Sequence, residues 1–422
     1  MPKKQYWSFI KDPLYGYIHI TDFERELIDT RVVQRLRRIK QLAGAEYVYP
    51  GANHTRFEHS IGVMYLAGVL AESLPVELSD DEICMVKIAG LLHDVGHGPF
   101  SHLFESISTK YLGKTHESFT QWLIRETEIA DILSNGGFSP QEISDLAVGK
   151  YERKGKRFLG QIISSAIDVD KMDFVPRDSY HTGAGYGNVD VFRLIYTMDV
   201  LDNNLAVDMT AISALETFIL ARVESFRSIY FHKVARAAQI MIALAMERAK
   251  EDYPILVGFK SPDEFLELDD YSVWAMLKSS KKSEEILRKL ERRDLLKVAY
   301  SKTFYVKDQF IQNLFINETI RRNLENEIAE TAGVDYEDVI IDVPTVPSVP
   351  YGHSLGIEPM EIPVFSRGLG GEKIPEKLSE VSNVITALKG FMNIIRIYTW
   401  KDLREKVAAA AEKIFGDDQK TK

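Results

Sequence analysis

Histidine and carboxylate side chains are concentrated in one part of this 422-residue chain. Six of its ten histidines lie between residues 54 and 116, and residues 93–98 read HDVGHG. Imidazole nitrogens and carboxylate oxygens bind divalent ions such as Mn, Fe, Zn and Mg, and an adjacent His-Asp pair supplies one ligand of each kind. The pattern therefore predicts a metal site and makes metal-dependent catalysis the first hypothesis.

Two predicted helices position the first of these residues. A capping box from Ser79 to Glu82 starts an apolar helix that ends at His93 and Asp94, because the glycines and the proline that follow do not readily continue a helix. An earlier helical pattern, residues 58–73, carries His59 in its first turn. We therefore expect these side chains at helix ends, where they can converge on one ion.

A third helical pattern covers residues 159–178. Asp170, Phe174 and Asp178 fall four residues apart within it, so they share one face of the predicted helix. Pro176 lacks a backbone N–H and is expected to kink or shorten the end of this helix.

The overall pattern predicts a mainly α fold. Helix signals dominate residues 1–330, which we interpret as a helical core, and residues 331–422 suggest a small C-terminal α+β lobe. The signals in this lobe are strands at 339–343, 361–365 and 393–398, a connector with Pro344, Pro347 and Pro350, a glycine-rich turn at 368–371, and a helix at 401–414.

Composition excludes several classes of protein. A net charge of −10 argues against general coating of nucleic acid, since such binding depends on surplus Lys and Arg, although a local basic pocket for a polyphosphate is compatible with it. The single cysteine, Cys84, cannot form a disulfide framework, which favours a reducing compartment. No apolar stretch is long enough to cross a bilayer, so we expect a cytoplasmic protein with no membrane partner.

The order of these motifs resembles the HD-domain metal-dependent phosphohydrolases. The surrounding sequence is similar to the deoxynucleoside triphosphate triphosphohydrolases related to the animal enzyme that joins a sterile alpha motif to an HD domain. The resemblance runs from about Asp12 to the C-terminus, without the sterile alpha motif. It is carried by QRLRRIKQL (34–42), YVYPGANHTRFEHSIGVMYLAG (47–68), AGLLHDVGHGPFSHLFE (89–105), THE (115–117), IDVDKMDFVPRDSYHTG (167–183) and FMNIIRIYTW (391–400).

The resemblance implies a divalent metal ion, Mn, Mg, Fe or Zn, bound by two histidines and two aspartates: His59, His93, Asp94 and Asp170. Two neutral imidazoles and two carboxylates nearly balance the charge of such an ion. Asp168 is expected to face elsewhere. The implied reaction is hydrolysis at the α-phosphorus of a deoxynucleoside triphosphate, which releases the deoxynucleoside and inorganic triphosphate.

Three residues are candidates for proton transfer during catalysis. His102 and Glu105 are three residues apart on a predicted helix, a spacing that lets a carboxylate orient an imidazole, although Glu105 stands where the family has an aspartate. His116 matches the family's catalytic histidine. Because it follows the helix-capping Thr115, we expect the helix dipole to favour its neutral form.

The resemblance also implies residues that bind substrate. Arg56, Lys171 and Arg222 match phosphate contacts, with solvated surface charge as the alternative for each, and His97 either contacts phosphate or is structural. Gln41 and Asp178 match contacts to the 3′-hydroxyl. Leu42 and Tyr230 would crowd the 2′ carbon and exclude ribonucleotides, unless Tyr230 is only core packing. The chain departs from the family at Phe174, which replaces a tyrosine, and at Phe231, which replaces a glutamine.

Relatives are often activated by a guanine nucleotide between the subunits of a tetramer, so a homo-oligomer, dimer or tetramer, is expected. The matching residues here are Asp29, Gln34, Arg37 and Arg193. Against this, Ser8 stands where a phosphate-binding lysine is expected, and no Arg or Lys occurs between Arg193 and Arg222. The alternative is that Arg31, Arg35 and Arg38 form one solvated helix face.

Two other functions stay open at this point. One is an HD-type phosphodiesterase or nucleotidase that acts on a different nucleotide, since a fold does not fix the substrate. The other is a nucleotide-sensing or single-strand-binding oligomer that keeps the fold for assembly. The presence of all four expected ligands and of His116 argues against this second alternative.

Overall fold

The computed structural model describes residues 7–152, 155–306, 317–347, 362–387 and 391–416, and it confirms the mainly α fold. The helices are α1 Asp22–Ile28, α2 Arg31–Arg35, α3 Arg56–Ser73, α4 Asp80–Leu92, α5 His102–Leu112, α6 His116–Glu126, α7 Glu128–Asn135, α8 Pro140–Ala147, α9 Phe158–Ile163, α10 Val169–Thr182, α11 Val191–Ile195, α12 Ile212–Ser225, α13 Lys233–Ala249, α14 Pro262–Leu266, α15 Asp270–Ser279, α16 Glu284–Glu291, α17 Glu318–Ala332, α18 Leu378–Val381, α19 Asn383–Ala387 and α20 Arg404–Phe415.

The strands form one hairpin and two larger sheets. They are β1 Ser8–Asp12, β2 Gly16–Ile20, β3 Met198–Leu201, β4 Asn204–Asp208, β5 Lys297–Val306, β6 Ile340–Asp342, β7 Thr345–Pro347, β8 Pro363–Arg367, β9 Lys373–Lys377 and β10 Phe391–Thr399. β1 pairs with β2, and a second sheet has the order β3-β4-β8-β9. In the third sheet β10 lies between β5 and β6 and also pairs with β7. The five strands β1 to β5 lie within residues 1–330, where helix signals dominate the sequence and no strand was predicted.

Helices α3, α4 and α10 form the part of the core that carries the predicted metal ligands. The predicted capping box starts α4: the Glu82 backbone N–H donates to Ser79 Oγ (3.2 Å), and the Ser79 N–H donates to Glu82 Oε2 (2.9 Å). Leu66 and Leu91 are fully buried, and burial of a leucine side chain contributes roughly 1.5–3 kcal/mol. This packing holds the ends of the three helices in fixed relative positions.

The prediction of one helix over residues 159–178 is wrong, because the chain breaks between α9 and α10. Asp168 lies in the break and caps α10: its carboxylate accepts the backbone N–H groups of Lys171 (2.8 Å) and Ser165 (2.7 Å). Pro176 does not shorten α10, which continues to Thr182. Buried residues on both sides of Pro176 hold the helix together despite the missing N–H.

The C-terminal residues contribute to both larger sheets. β6, β8, β10 and α20 confirm the elements predicted there, while Pro350 and residue 361 lie outside the described residues. The predicted boundary near residue 330 falls inside α17. This helix packs with β5 and β10 on a separate apolar cluster that consists of Tyr300, Ile328, Ala329, Val339, Ile341, Ile395, Ile397, Val407, Ala410 and Ala411.

Within the described residues, no helix combines the length and the apolar character needed to cross a membrane.

Candidate metal centre and substrate pocket

Three of the predicted ligands converge where α3, α4 and α10 meet. His59 Nε2 lies 3.0 Å from Asp170 Oδ1, and His93 Nε2 lies 3.6 Å from the same oxygen. The three ligand atoms lie within 4.8 Å of one another, a spacing that can hold a metal ion. Two nitrogens and one oxygen suit Mn, Fe or Zn, and also Mg if water completes the coordination.

Asp94 lies beside this cluster. Its Oδ1 is 3.3 Å from His93 Nε2, and its Oδ2 is 3.7 Å from His59 Nε2 and pairs with Arg56. Burial alone would raise the pKa of Asp94, but Arg56 and His93 lower it well below its usual range. Asp94 is therefore ionised, as a metal ligand must be.

The second nitrogens of the two histidines determine which tautomer each adopts. His59 Nδ1 lies 2.8 Å from Asp173 Oδ2, and His93 Nδ1 lies 2.8 Å from the Gly90 carbonyl oxygen. Both of these oxygens are acceptors, so each Nδ1 carries the proton and each Nε2 directs its lone pair to the cluster. Both Nε2 atoms are buried, and neither makes a hydrogen bond of good geometry within the described residues, although Asp170 Oδ1 lies 3.0 Å from His59 Nε2. A divalent cation would fill this position, so the residues fit a metal.

Asp173 and Arg177 hold His59 in place and were not among the predicted site residues. Arg177 donates to both carboxylate oxygens of Asp173, each at 2.8 Å, while Asp173 holds His59. Gly62 on α3 leaves room for this pair, because a Cβ atom there would lie 2.0 Å from Asp173 Oδ1. The four-residue spacing of an acid and an arginine on one predicted helix was the available signal.

The three predicted proton-transfer residues form one cluster. His116 Nδ1 lies 2.6 Å from Glu105 Oε1, and His102 Nδ1 lies 3.3 Å from Glu105 Oε2. Burial alone would lower the pKa of His116, but its hydrogen bond to Glu105 and the charge of that carboxylate raise it. The direction of this shift is opposite to the one expected from the helix dipole, because the hydrogen bond to the adjacent carboxylate has the larger effect. The longer side chain of Glu105 reaches both histidines.

His97 links this cluster to the metal ligands. Its ring stacks on that of His116 at 4.1 Å between centroids, and its Nε2 lies 3.3 Å from Asp94 Oδ1. Burial, followed by the positive charge of Arg56, lowers the pKa of His97 well below its usual range. His97 is therefore a neutral side chain between the predicted metal and His116.

The glycines of residues 93–98 permit this close packing. A Cβ atom at Gly96 would lie 2.2 Å from the His116 carbonyl oxygen, and one at Gly98 would lie 2.1 Å from Phe104 Cδ1. After these glycines, Phe100 and Ser101 adopt positive φ angles of 56° and 55°. Non-glycine residues rarely adopt this conformation, so the start of α5 stores local strain beside the candidate site.

The predicted phosphate contacts are not ordinary surface charges. Arg56 and Arg222 are buried, which rules out solvated surface charge for both. Arg222 Nε has no hydrogen-bond partner within the described ranges, and burial lowers the pKa of Arg222 only to about 10, so the side chain stays charged. Lys171 donates from Nζ to Asp168 Oδ2 at 2.6 Å.

The predicted sugar contacts also come together. Tyr230, at the end of a π-helical turn, donates its hydroxyl to Asp178 Oδ2 and belongs with Leu42 to a small apolar cluster. The Phe174 ring lies 6.5 Å from that of Tyr230. His54, which had no predicted role, donates to Asp178 Oδ1 at 2.8 Å. The shared face of Asp170, Phe174 and Asp178 thus extends from the metal cluster to this pocket.

The residues predicted to read guanine lie at the surface near α2. Arg37 donates from Nε to Gln34 Oε1 at 2.8 Å and covers the Phe57 ring, and Asp29 is exposed. Arg193 is also exposed and donates to the Thr210 carbonyl at 3.0 Å.

The alternative of one solvated arginine face is wrong for Arg35. This side chain is fully buried and donates to the backbone carbonyl of His97 at 2.9 Å. Arg31 and Arg38 do form ion pairs at the surface, with Asp263 and Asp269 among their partners.

Comparison with known proteins defines the class. The HD domain model matches residues 56–175, and the model of the HD associated region matches residues 189–422. The chain belongs to this family of HD-domain proteins, which includes deoxynucleoside triphosphate triphosphohydrolases, and it is a phosphohydrolase.

Individual relatives support this assignment. The human deoxynucleoside triphosphate triphosphohydrolase SAMHD1 is 33% identical over 339 residues, which cover 68% of this chain and 54% of the human protein. A hypothetical protein from Aquifex aeolicus has a similar crystal structure, with a TM-score of 0.77, 32% identity and coverage of 96% of this chain and 99% of the other. A phosphohydrolase from Bacteroides thetaiotaomicron has a TM-score of 0.74, 26% identity and coverage of 93% and 100%.

Proposed function

We propose that the chain hydrolyses deoxynucleoside triphosphates to the deoxynucleoside and inorganic triphosphate. The observation that carries the proposal is the single face of α10, where Asp170 lies at the metal cluster and Asp178 lies two turns further, beside Tyr230. A substrate bound along this face would present its phosphates to the ligands and its sugar to the pocket. The name of the human relative supports the same activity.

Positive side chains would bind the triphosphate. Arg56 beside Asp94 and the buried Arg222 retain charge in a region shielded from water, where interactions with phosphate oxygens are strong. Lys171 is held by Asp168 at the start of α10 and can exchange this partner for a phosphate oxygen. Phe174 offers no hydroxyl to the phosphates.

The chemistry would combine a Lewis acid with proton transfer. A divalent cation held by the two histidines and two aspartates would polarise the phosphoryl oxygen or lower the pKa of a bound water to about 7. His116, kept protonated by Glu105, would donate its proton to the leaving 5′ oxygen. His102 would share Glu105 and assist proton exchange with solvent, because its side chain is largely exposed.

Selectivity for deoxyribose would come from shape. Leu42 and Tyr230 pack in one apolar cluster beside Asp178, so a 2′-hydroxyl would meet apolar carbon without a hydrogen-bond partner. We therefore expect the corresponding ribonucleotides to react much more slowly.

Activation by a guanine nucleotide in a homo-oligomer is a second part of the proposal. The contact between Gln34 and Arg37 beside the exposed Asp29 supports a nucleotide-reading surface. Hydrolysis of dATP or dTTP should be measured with and without trace dGTP, together with the mass of the protein in solution. Equal rates under both conditions would reject activation.

A product assay tests the central proposal. Purified protein is incubated with each of the four dNTPs and four NTPs, with Mg or Mn, and the products are resolved. Wild type should release inorganic triphosphate from dNTPs; Asp170→Ala should abolish turnover, and the exposed control Asp131→Ala should not. Release of pyrophosphate or orthophosphate would instead indicate a phosphodiesterase or nucleotidase, and nucleotide-dependent assembly without turnover would indicate a sensing protein.

A further inference from the structure

His54 contacts both residues of the proposed 3′-hydroxyl site. Its backbone carbonyl accepts the N–H of Gln41 at 3.0 Å, and its Nε2 lies 2.8 Å from Asp178 Oδ1. The two short segments that carry Gln41 and His54 are further joined by a β-bridge between Lys40 and Thr55. One residue therefore connects the loop before α3 with the carboxylate on α10.

The imidazole of His54 is held in one orientation. Its side chain is fully buried and stacks on His181, with 4.3 Å between ring centroids and 11° between ring planes. His181 Nε2 in turn lies 3.1 Å from Glu58 Oε2. Since Asp178 is an acceptor and His54 Nδ1 has no hydrogen-bond partner in the part of the chain that the structure describes, the ring proton is assigned to Nε2. His54 acts as a fixed donor.

This donor leaves a defined set of groups for a ligand. Asp178 Oδ1 is bound by His54 and Oδ2 by Tyr230, so the carboxylate cannot rotate freely. Gln41 Oε1 is buried and has no hydrogen-bond partner among the described residues. A carboxylate, which accepts, and a side-chain amide, whose NH2 group donates and whose oxygen accepts, suit a hydroxyl group on a ring beside an apolar wall, because such a hydroxyl both donates and accepts a hydrogen bond.

We infer that His54 is a positioning residue that sets recognition of the 3′-hydroxyl by aligning Gln41 and Asp178. The inference rests on the proposed function, because it assumes a deoxynucleotide in the pocket. Loss of the His54 side chain leaves Asp178 free to turn away from the hydroxyl. The loss should therefore weaken only the contribution that this hydroxyl makes to catalysis.

The test compares dTTP with 2′,3′-dideoxy-TTP, which lacks only the 3′-hydroxyl. For each protein, kcat/KM on dTTP is measured, and the binding of the dideoxy analogue is measured as competitive inhibition of dTTP hydrolysis. In His54→Ala, kcat/KM for dTTP should fall by about 10-fold to 100-fold, the usual effect of losing a hydrogen bond to a charged group. The inhibition constant of the dideoxy analogue should change less than about threefold.

Matched variants separate positioning from loss of structure. Asn53→Ala alters the preceding residue, whose side chain donates to the Pro50 carbonyl, and should behave as wild type. His54→Gln retains a side-chain N–H donor and should recover most of the kcat/KM for dTTP that His54→Ala loses. If His54→Ala does not fold, the same measurement on His54→Gln tests whether a donor at this position is sufficient. Equal weakening for both nucleotides, or no change for either, would overturn the inference. Wild type that does not hydrolyse dTTP at all would reject the proposed function itself, before any variant is compared.

Discussion

Glu105 lies between two histidines, and the strength of its bond to His116 determines the charge of that ring. Burial alone would raise the pKa of Glu105. The hydrogen bonds from His102 and His116 favour the ionised carboxylate and lower this pKa below its usual range. The raised pKa of His116 keeps its proton at pH values where an ordinary histidine would have lost it. A general acid in this position would therefore stay active to higher pH than an ordinary histidine would.

The first prediction concerns the pH dependence of turnover. A general acid loses activity as the pH rises through its pKa, so a raised pKa of His116 extends activity to higher pH. Glu105→Gln removes the negative charge and lowers this pKa, so the basic limb of the kcat profile should move to lower pH. The profile of Glu117→Gln, a change one residue from His116, should match wild type. An unshifted basic limb in Glu105→Gln would contradict the role of His116 as the acid.

For individual residues, the sequence predicted which side chains belong to the candidate site better than it predicted the contacts that surround them. His59, His93 and Asp170 could be predicted because their types and motif order are specific. His54 could not, and Asp173 was marked only by its spacing from Arg177, because the importance of both depends on contacts between α10 and residues more than a hundred positions earlier. The charge of His116 depends on a contact with Glu105, eleven residues earlier on the preceding helix, whose geometry the sequence does not specify.

Helices α3 and α10 approach closely at Gly62. Because Gly62 has no side chain, the Asp173 carboxylate of α10 fits against α3. There it orients His59, which lies on α3 together with Gly62. The orientation of a metal-ligating histidine depends on the partner of its second nitrogen. The contact between α3 and α10 therefore determines how His59 is oriented towards the candidate metal site.

The second prediction is therefore that Gly62→Ala weakens metal binding. The added methyl group must displace Asp173 or Arg177, because its Cβ would lie 2.0 and 2.4 Å from their side-chain atoms. Overpacking of this kind destabilises by about 1–3 kcal/mol, and loss of the histidine's partner lowers metal affinity by about 10-fold to 100-fold. Thermal unfolding and titration with Mn or Zn measure both effects.

Gly68→Ala provides the control on the same helix. The atoms nearest to its added Cβ would belong to the flexible Lys87 side chain, at 3.0 Å, so metal affinity should stay near that of wild type. Equal loss of affinity in both variants would show that helix α3, and not the Asp173 contact, is responsible.

The elements themselves were predicted best where local signals agree. The capping box of α4 and the strands β6, β8 and β10 follow from short patterns. The break between α9 and α10 does not follow from a short pattern, because the sequence of residues 159–178 is compatible with one continuous helix. In the structure the Asp168 carboxylate accepts the N–H groups of Ser165 and Lys171 and so interrupts that helix. Tertiary packing also keeps Pro176 inside α10, against its local preference.

At the scale of the whole molecule, a bound ion would connect three helices that come from distant parts of the chain. A ligand that binds only the folded state stabilises it by about 2.7 kcal/mol when its concentration is 100 times the dissociation constant. The third prediction is that removal of the metal with a chelator lowers the thermal unfolding midpoint by a few degrees and that added Mn restores it. In Asp170→Ala the chelator should have a much smaller effect. An equal chelator effect in both proteins would argue against this metal site.

The fourth prediction concerns the sheet that joins residues 198–208 to residues 363–377. Arg367 binds Asp208 (3.0 Å) and Asp199 (3.3 Å), so it connects β8 with β3 and β4. Because Arg367 is half exposed, Arg367→Ala should lower the free energy of unfolding only modestly, by about 1 kcal/mol. Turnover should be unchanged, since this pair makes no contact with the residues of the candidate site in the described structure. Urea unfolding measures the free energy of unfolding, and the product assay measures turnover. A large loss of turnover in a fully folded Arg367→Ala variant would contradict the purely structural role of Arg367.

The parallel pairing of Val207 with Val364 has a consequence for how the protein is made. A chain that is still being synthesised exposes one edge of β4 until residues far towards the C-terminus have left the ribosome. Unpaired strand edges promote association between chains, and contacts between distant residues form slowly. The nascent protein therefore passes through an interval in which its catalytic helices can already pack while this edge still needs protection by a chaperone or by fast synthesis.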